Sequence, residues 1–108
     1  MGLLQIQRID TFDVVPVLPT ADFEAFPTGA VCPPLVVNFT DLSQAGNAPI
    51  TEWLWDFGDG TQSRLQNPIK IFSDFDTYDI SLTVTDSLGC SNSFLIPDLV
   101  QLTGVQGG

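Results

Sequence analysis

Apolar side chains alternate most cleanly near the middle of the second half of the chain, where Tyr78, Ile80, Leu82 and Val84 interleave with Asp79, Ser81, Thr83 and Thr85. Successive side chains of an extended backbone point to opposite faces, so this segment predicts a strand with one buried and one wetted side. A slip of one residue would expose every apolar side chain, and the alternation therefore fixes the register as well. Upstream, Trp53, Trp55 and Phe57 share one face at the same period, with Leu54 and Asp56 on the other. Asp59-Gly60 follows as the turn, because glycine reaches positive φ without steric cost. Segments of this kind, separated by Pro, Gly, Asn and Asp, predict strands over 21–26, 35–41, 51–57, 69–72, 77–86 and 93–103. No window keeps an apolar period of about 3.6 residues between helix caps, and the pattern is all-β.

The faces name a core. Trp55 is expected to pack on Leu82 and its neighbours, with Phe23, Val37, Phe39, Phe57 and Ile71 around it. Trp53 shares parity with Trp55 and Phe57, so burial is expected; left uncovered, its ring could stack on a ligand such as a sugar. Pro97 cannot donate to a sheet ladder, so the last strand should lie at an edge or bulge there.

The sequence has 108 residues, material for a single core. Residues 1–18 carry Leu3, Leu4, Ile6, Ile9, Phe12, Val14, Val15 and Val17, a composition that calls for a partner surface rather than a linker. The segment is read as an N-terminal extension that serves as an extra strand, a linker, or a strand donated to another copy. Residues 104–108 read as a flexible exit. Arg8, Asp10 and Asp13 interrupt any apolar run that would mark Met1–Pro19 as a signal peptide, and no stretch approaches the roughly 20 apolar residues of a membrane-spanning helix. An export signal, if used, would lie elsewhere, and Met1-Gly2 is compatible with the start of a fragment of a longer protein.

Charge narrows the partners. Thirteen acidic residues against three basic ones give a net charge of -10, which repels nucleic acid and anionic membranes. Catalytic chemistry finds little to work with: there is no histidine, one lysine and two glutamates, so a Ser or Cys nucleophile lacks its usual base. Asp56 and Asp59 are the nearest carboxylate pair, and they are better read as turn residues that accept backbone N–H groups. Asp74, Asp76 and Asp79 are weak candidates for a calcium site, because the glycine and terminal glutamate of an EF-hand loop are missing. Asn38-Phe39-Thr40 is a formal N-glycosylation sequon, meaningful only in a eukaryotic secretory pathway.

The run Trp55-Asp56-Phe57-Gly58-Asp59-Gly60, then Asn67-Pro68, then Thr77 to Asp86 and Leu88-Gly89 resembles the PKD (polycystic kidney disease) domain family, with its WDFGDG core, NP turn and GTYTVTLTV-like strand. Ala21-Asp22-Phe23 and Val36 to Asp41 fall where that family has its first two strands, and the likeness covers residues 19–103. Asp76 stands where the family usually has glycine. The resemblance implies an immunoglobulin-like antiparallel β-sandwich of about seven strands in two sheets. It further implies an extracellular or cell-surface module that is not an enzyme and needs no cofactor, with a structural, adhesive or protein-interaction role. Its partners would be other domains or copies of the same protein, or cell-surface protein or polysaccharide. One alternative is an accessory polysaccharide- or protein-binding domain of a secreted hydrolase, and another is a filament subunit joined through its N-terminal strand. Cys32 and Cys90 both flank turns, and cysteine-bearing PKD-like modules of secreted bacterial proteins look similar. A Cys32–Cys90 disulfide is therefore expected, worth at most roughly 4 kcal/mol by loop entropy. Two buried reduced thiols are the alternative.

Overall fold

A computed structural model of the protein describes residues 17–103. Eight strands follow one another: β1 (Phe23–Phe26), β2 (Gly29–Ala30), β3 (Leu35–Asp41), β4 (Ile50–Asp56), β5 (Gln62–Ser63), β6 (Ile69–Phe72), β7 (Asp76–Asp86) and β8 (Ser91–Leu102). They form a three-stranded sheet in the order β1-β3-β6 and a five-stranded sheet in the order β2-β8-β7-β4-β5. All neighbours are antiparallel except β2 and β8, which run parallel.

The predicted strands are all present, with ends shifted by two residues or fewer. The two-residue strands β2 and β5 had no signal of their own, since each exists only by pairing with the rim of a longer strand, β8 and β4. β7 seats Tyr78, Ile80, Leu82 and Val84 in the core. β4 lies antiparallel to it with Trp55 opposite Leu82 and Trp53 opposite Val84. The three-stranded sheet adds Phe23, Leu35, Val37, Phe39 and Phe72 from above.

Trp55 is the centre of this layer, with none of its surface exposed. Its ring meets Phe23 edge-on at 5.0 Å and Phe39 at 5.2 Å, and Phe39 passes the stack on to Phe57 at 5.2 Å. Edge and tilted contacts suit aromatic quadrupoles better than face-to-face stacking. The indole N–H is not left unsatisfied: it donates to the Gln66 carbonyl at 3.3 Å.

One core assignment is reversed. Ile71 is 56% exposed and Phe72 takes the inward place. The register pairs Val36 with Ile71 and Leu35 with Phe72, which sends Ile69 and Ile71 outward and Lys70 inward. Lys70 tolerates that parity because its ammonium reaches Asp59 Oδ2 at 3.0 Å and the Thr61 hydroxyl at 2.9 Å. It also lies 5.6 Å from the Phe57 ring centroid and 5.7 Å from that of Phe72.

Pro97 sits in a bulge. Between the Tyr78–Val100 and Ile80–Ile96 pairs β8 holds two more residues than β7, and Asp98 within it has φ of 52°. The Asp98 N–H donates to Asp79 Oδ1 at 2.8 Å, fixing the bulge to β7. At the far end, buried Asp86 closes the β7–β8 turn by accepting the N–H groups of Leu88 and Cys90, both at 2.9 Å.

Replacing Trp55 by alanine should cost about 3–5 kcal/mol in urea unfolding, and Phe72→Ala a comparable amount. Ile71→Thr should cost no more than about 1 kcal/mol, as a residue on the outer face of β6 contributes far less than one in the core. A large loss from Ile71→Thr would contradict the orientation of β6.

Candidate functional site

The polar side chains singled out in the sequence fall into three places. At the turn after β4, Asp56 Oδ1 accepts the Gly58 N–H at 3.0 Å. Asp59 Oδ1 accepts the Thr61 N–H at 3.0 Å and the Thr61 hydroxyl at 2.5 Å. Gly58 and Gly60 have φ of 77° and 88°, and a Cβ on Gly58 would stand 2.5 Å from the Asp79 carbonyl oxygen. The turn thus requires glycine at Gly58 both for its backbone angle and for the close passage of β7. Burial works to raise the Asp59 pKa, but bonds from Thr61 and Lys70 prevail and hold it below the ordinary value.

The second place joins the sheets beside Trp53. This ring is half-buried against the core, and its indole N–H donates to Asp41 Oδ2 at 2.8 Å. The same oxygen accepts Gln66 Nε2 at 3.0 Å, Oδ1 accepts the Ser43 N–H at 2.9 Å, and the Asp41 N–H donates to Asn67 Oδ1 at 2.8 Å. Asp41 therefore ties the end of β3 to β4 and to the Asn67-Pro68 turn. Burial acts to raise its pKa, and the bonds from Ser43, Gln66 and Trp53 outweigh it, leaving Asp41 below the ordinary 3.8. Trp53 consequently offers a ligand one edge of its ring rather than a free indole. This junction was missed in the sequence, where Asp41 reads only as the last residue of a strand.

The third place is the acidic end around Asp74, Asp76 and Asp79. Asp76 and Asp79 are three apart on β7 and so project to opposite faces. Asp76 Oδ1 accepts the Thr77 N–H at 2.8 Å, and Asp79 is engaged by Asp98. Among the described residues no three His, Cys, Asp or Glu side chains stand close enough to share a metal ion. The Tyr78 hydroxyl donates to the Asp74 carbonyl at 2.7 Å, and burial, with the fields of Asp74, Asp76 and Asp59, pushes its pKa up.

The expected disulfide is not formed: Cys32 and Cys90 are both free, the first exposed and the second half-buried. Topology explains the correction. Cys32 follows β2, which pairs with Gln101 and Leu102 at the end of β8, whereas Cys90 directly precedes Ser91 at its start. A strand of that length places them roughly 35 Å apart, against the about 6 Å between Cα atoms that a disulfide needs.

Two open faces remain. The outer side of the five-stranded sheet carries Leu54, Thr83 and Ser93 in one cross-strand row, with Gln62, Asp56, Ser81 and Leu95 in the next. The outer side of the three-stranded sheet presents Phe26, Val36, Ile69 and Ile71. No described helix is long and apolar enough to cross a membrane.

A two-sheet β-sandwich whose aspartates are spent on turns and junctions defines an immunoglobulin-like module. Its sequence matches the PKD domain over residues 17–100, and the chain belongs to that family. It is 30% identical over 92 residues to the pre-pro-metalloprotease PrtV of Vibrio cholerae, covering 85% of this chain and 9% of that protein. It is 40% identical over 50 residues to collagenase ColA of Bacillus cereus, covering 46% of this chain and 5% of that one. The chain thus spans less than a tenth of these relatives. Among solved structures, the PKD1 domain of Vibrio cholerae PrtV matches with a TM-score of 0.70 at 29% identity, covering 81% of this chain and 99% of that domain. The PKD1 domain of Vibrio anguillarum Epp matches with 0.70 at 28% identity, covering 82% and 99%. A structure described as the basis for promiscuous specificity of carbohydrate-binding modules of the β-sandwich superfamily matches with 0.73 at 29% identity, covering 83% of this chain and 36% of that one.

The depressed pKa of Asp41 stabilises the fold above the unfolded value near 3.8, and that contribution is lost as pH falls through the lower folded value. Asp41→Asn should therefore be less stable than wild type at pH 7, by about 1 kcal/mol, with the gap closing below pH 3.8 in thermal melts. Two thiols should titrate in the unfolded, unreduced protein, and Cys32 should react first in the folded one. A thiol count of zero would restore the disulfide.

Proposed function

We propose that this chain is a non-catalytic accessory module of an extracellular protein, which holds a polymeric protein ligand or a neighbouring domain against the outer face of its five-stranded sheet. The observation that carries this reading is the composition of that face. Ser81, Thr83, Thr85, Ser91 and Ser93 form an exposed or half-exposed band across β7 and β8, with Leu54 and Leu95 as apolar points within it. A flat, hydroxyl-rich surface can bond the backbone carbonyls of an extended chain without demanding one sequence.

The relatives support the accessory role. In a pre-pro-metalloprotease and in a collagenase the matched stretch is a small part of a much longer protein, and this sequence has no histidine to serve as the base of a Ser or Cys nucleophile. A protein polymer is preferred to a polysaccharide because sugar rings are held by exposed aromatic faces, and this surface has none. The extracellular assignment follows the pre-pro form of the PrtV relative.

The test is co-sedimentation of the chain with insoluble collagen, with chitin and with cellulose. Saturable binding to collagen is expected, and Thr83→Arg with Ser93→Arg should weaken it by about tenfold, near 1.4 kcal/mol. Binding to chitin or cellulose alone, or collagen binding indifferent to these changes, would overturn the reading.

A further inference from the structure

We propose that the chain's own N-terminal segment, residues 3–15, docks across the outer face of the three-stranded sheet. That face is apolar where a monomer should be polar. Phe26 stands opposite Asn38, which stands opposite Ile69, and in the next row Val36 stands opposite Ile71. Phe26 is 78% exposed, Ile69 65%, Ile71 56% and Val36 44%. The four side chains leave on the order of 400 Å² of apolar surface open, a size that in monomers marks a contact site.

Area decides among the occupants. Two copies meeting through this face would bury about 800 Å² in total, the scale of packing contacts and short of the roughly 1,200 Å² at which specific complexes begin. A segment of the same polypeptide needs no such area, because it loses no translational freedom and is present at an effective concentration in the millimolar range. The segment lies outside the described residues and supplies Leu3, Leu4, Ile6, Ile9, Phe12, Val14 and Val15. It meets the folded body at Val17, whose carbonyl accepts the Asn47 N–H at 3.2 Å, before Thr20 pairs with Gln44 and Phe23 with Asp41. The chain therefore enters at the Asp41 end of this same sheet. Sixteen residues reach up to roughly 50 Å when extended, well beyond the length of β3.

Charge points the same way. The segment brings Asp10 and Asp13 with one cation, Arg8. Glu24 is the one carboxylate on the strands' outward side here, while the five-stranded face carries Glu52 and Asp56, one on either side of the Leu54 row. The three-stranded face is thus the less repulsive of the two.

Arg8 supplies the readout, since trypsin cuts after it and a docked segment is cut only when it opens. Three full-length proteins are compared at low micromolar concentration: wild type, Ile69→Thr with Ile71→Thr, and Leu4→Ser with Ile6→Ser. The last pair lies outside the described residues and leaves every side chain of the described core unchanged. Cleavage after Arg8, followed by mass spectrometry, should be at least about tenfold slower in wild type than in either variant, with wild type monomeric by light scattering. Equal rates in all three would overturn the proposal. Protection that fades on dilution together with a dimeric mass would overturn it too, by assigning the segment to a second copy.

Discussion

The indole of Trp55 must be enclosed by both sheets at once, and most of the architecture can be understood as the means of doing so. From below it rests in β4 beside Leu82 of β7; from above Phe23 of β1 and Phe39 of β3 close over it. Its N–H requires an acceptor inside the fold, and the Gln66 carbonyl provides one. That bond places the loop before Asn67-Pro68, from which the Asn67 side chain and Gln66 amide reach Asp41. One large buried ring with one polar atom thereby positions two strands and a loop of the opposite sheet.

Lys70 solves a second problem, the orientation of β6. A lysine on the inward side of a four-residue strand would be costly alone, but Asp59 and Thr61 meet it at the rim, and the Phe57 and Phe72 rings line its approach. The WDFGDG turn is thus more than a reversal of direction, because its second aspartate holds the only described lysine across the gap between sheets. The consequence is an outward Ile69 and Ile71, and with them an apolar face on the smaller sheet.

An accessory role agrees with how the acidic residues are employed. Asp41, Asp56, Asp59, Asp79 and Asp86 each accept hydrogen bonds that close turns or join strands. Such carboxylates rigidify a scaffold. The two open faces differ in kind, one rich in hydroxyls and one apolar.

The sequence by itself determined the all-β class, the six longer strands, the inward face of β7 and the place of Trp55, because period-two alternation and turn residues are local signals. It determined the family through the WDFGDG run, and it foresaw the disturbance at Pro97, since a missing N–H is a property of one residue. The face of β6 was not legible, as Ile-Lys-Ile-Phe offers apolar residues on both parities and only the meeting of Lys70 with Asp59 chooses between them. Nor was the separation of Cys32 from Cys90, which depends on β2 pairing parallel to the far end of β8. The Asp41 junction and the short strands β2 and β5 belong to the same class. Each is made by groups distant in sequence, and their geometry exists only once the two sheets have closed around Trp55.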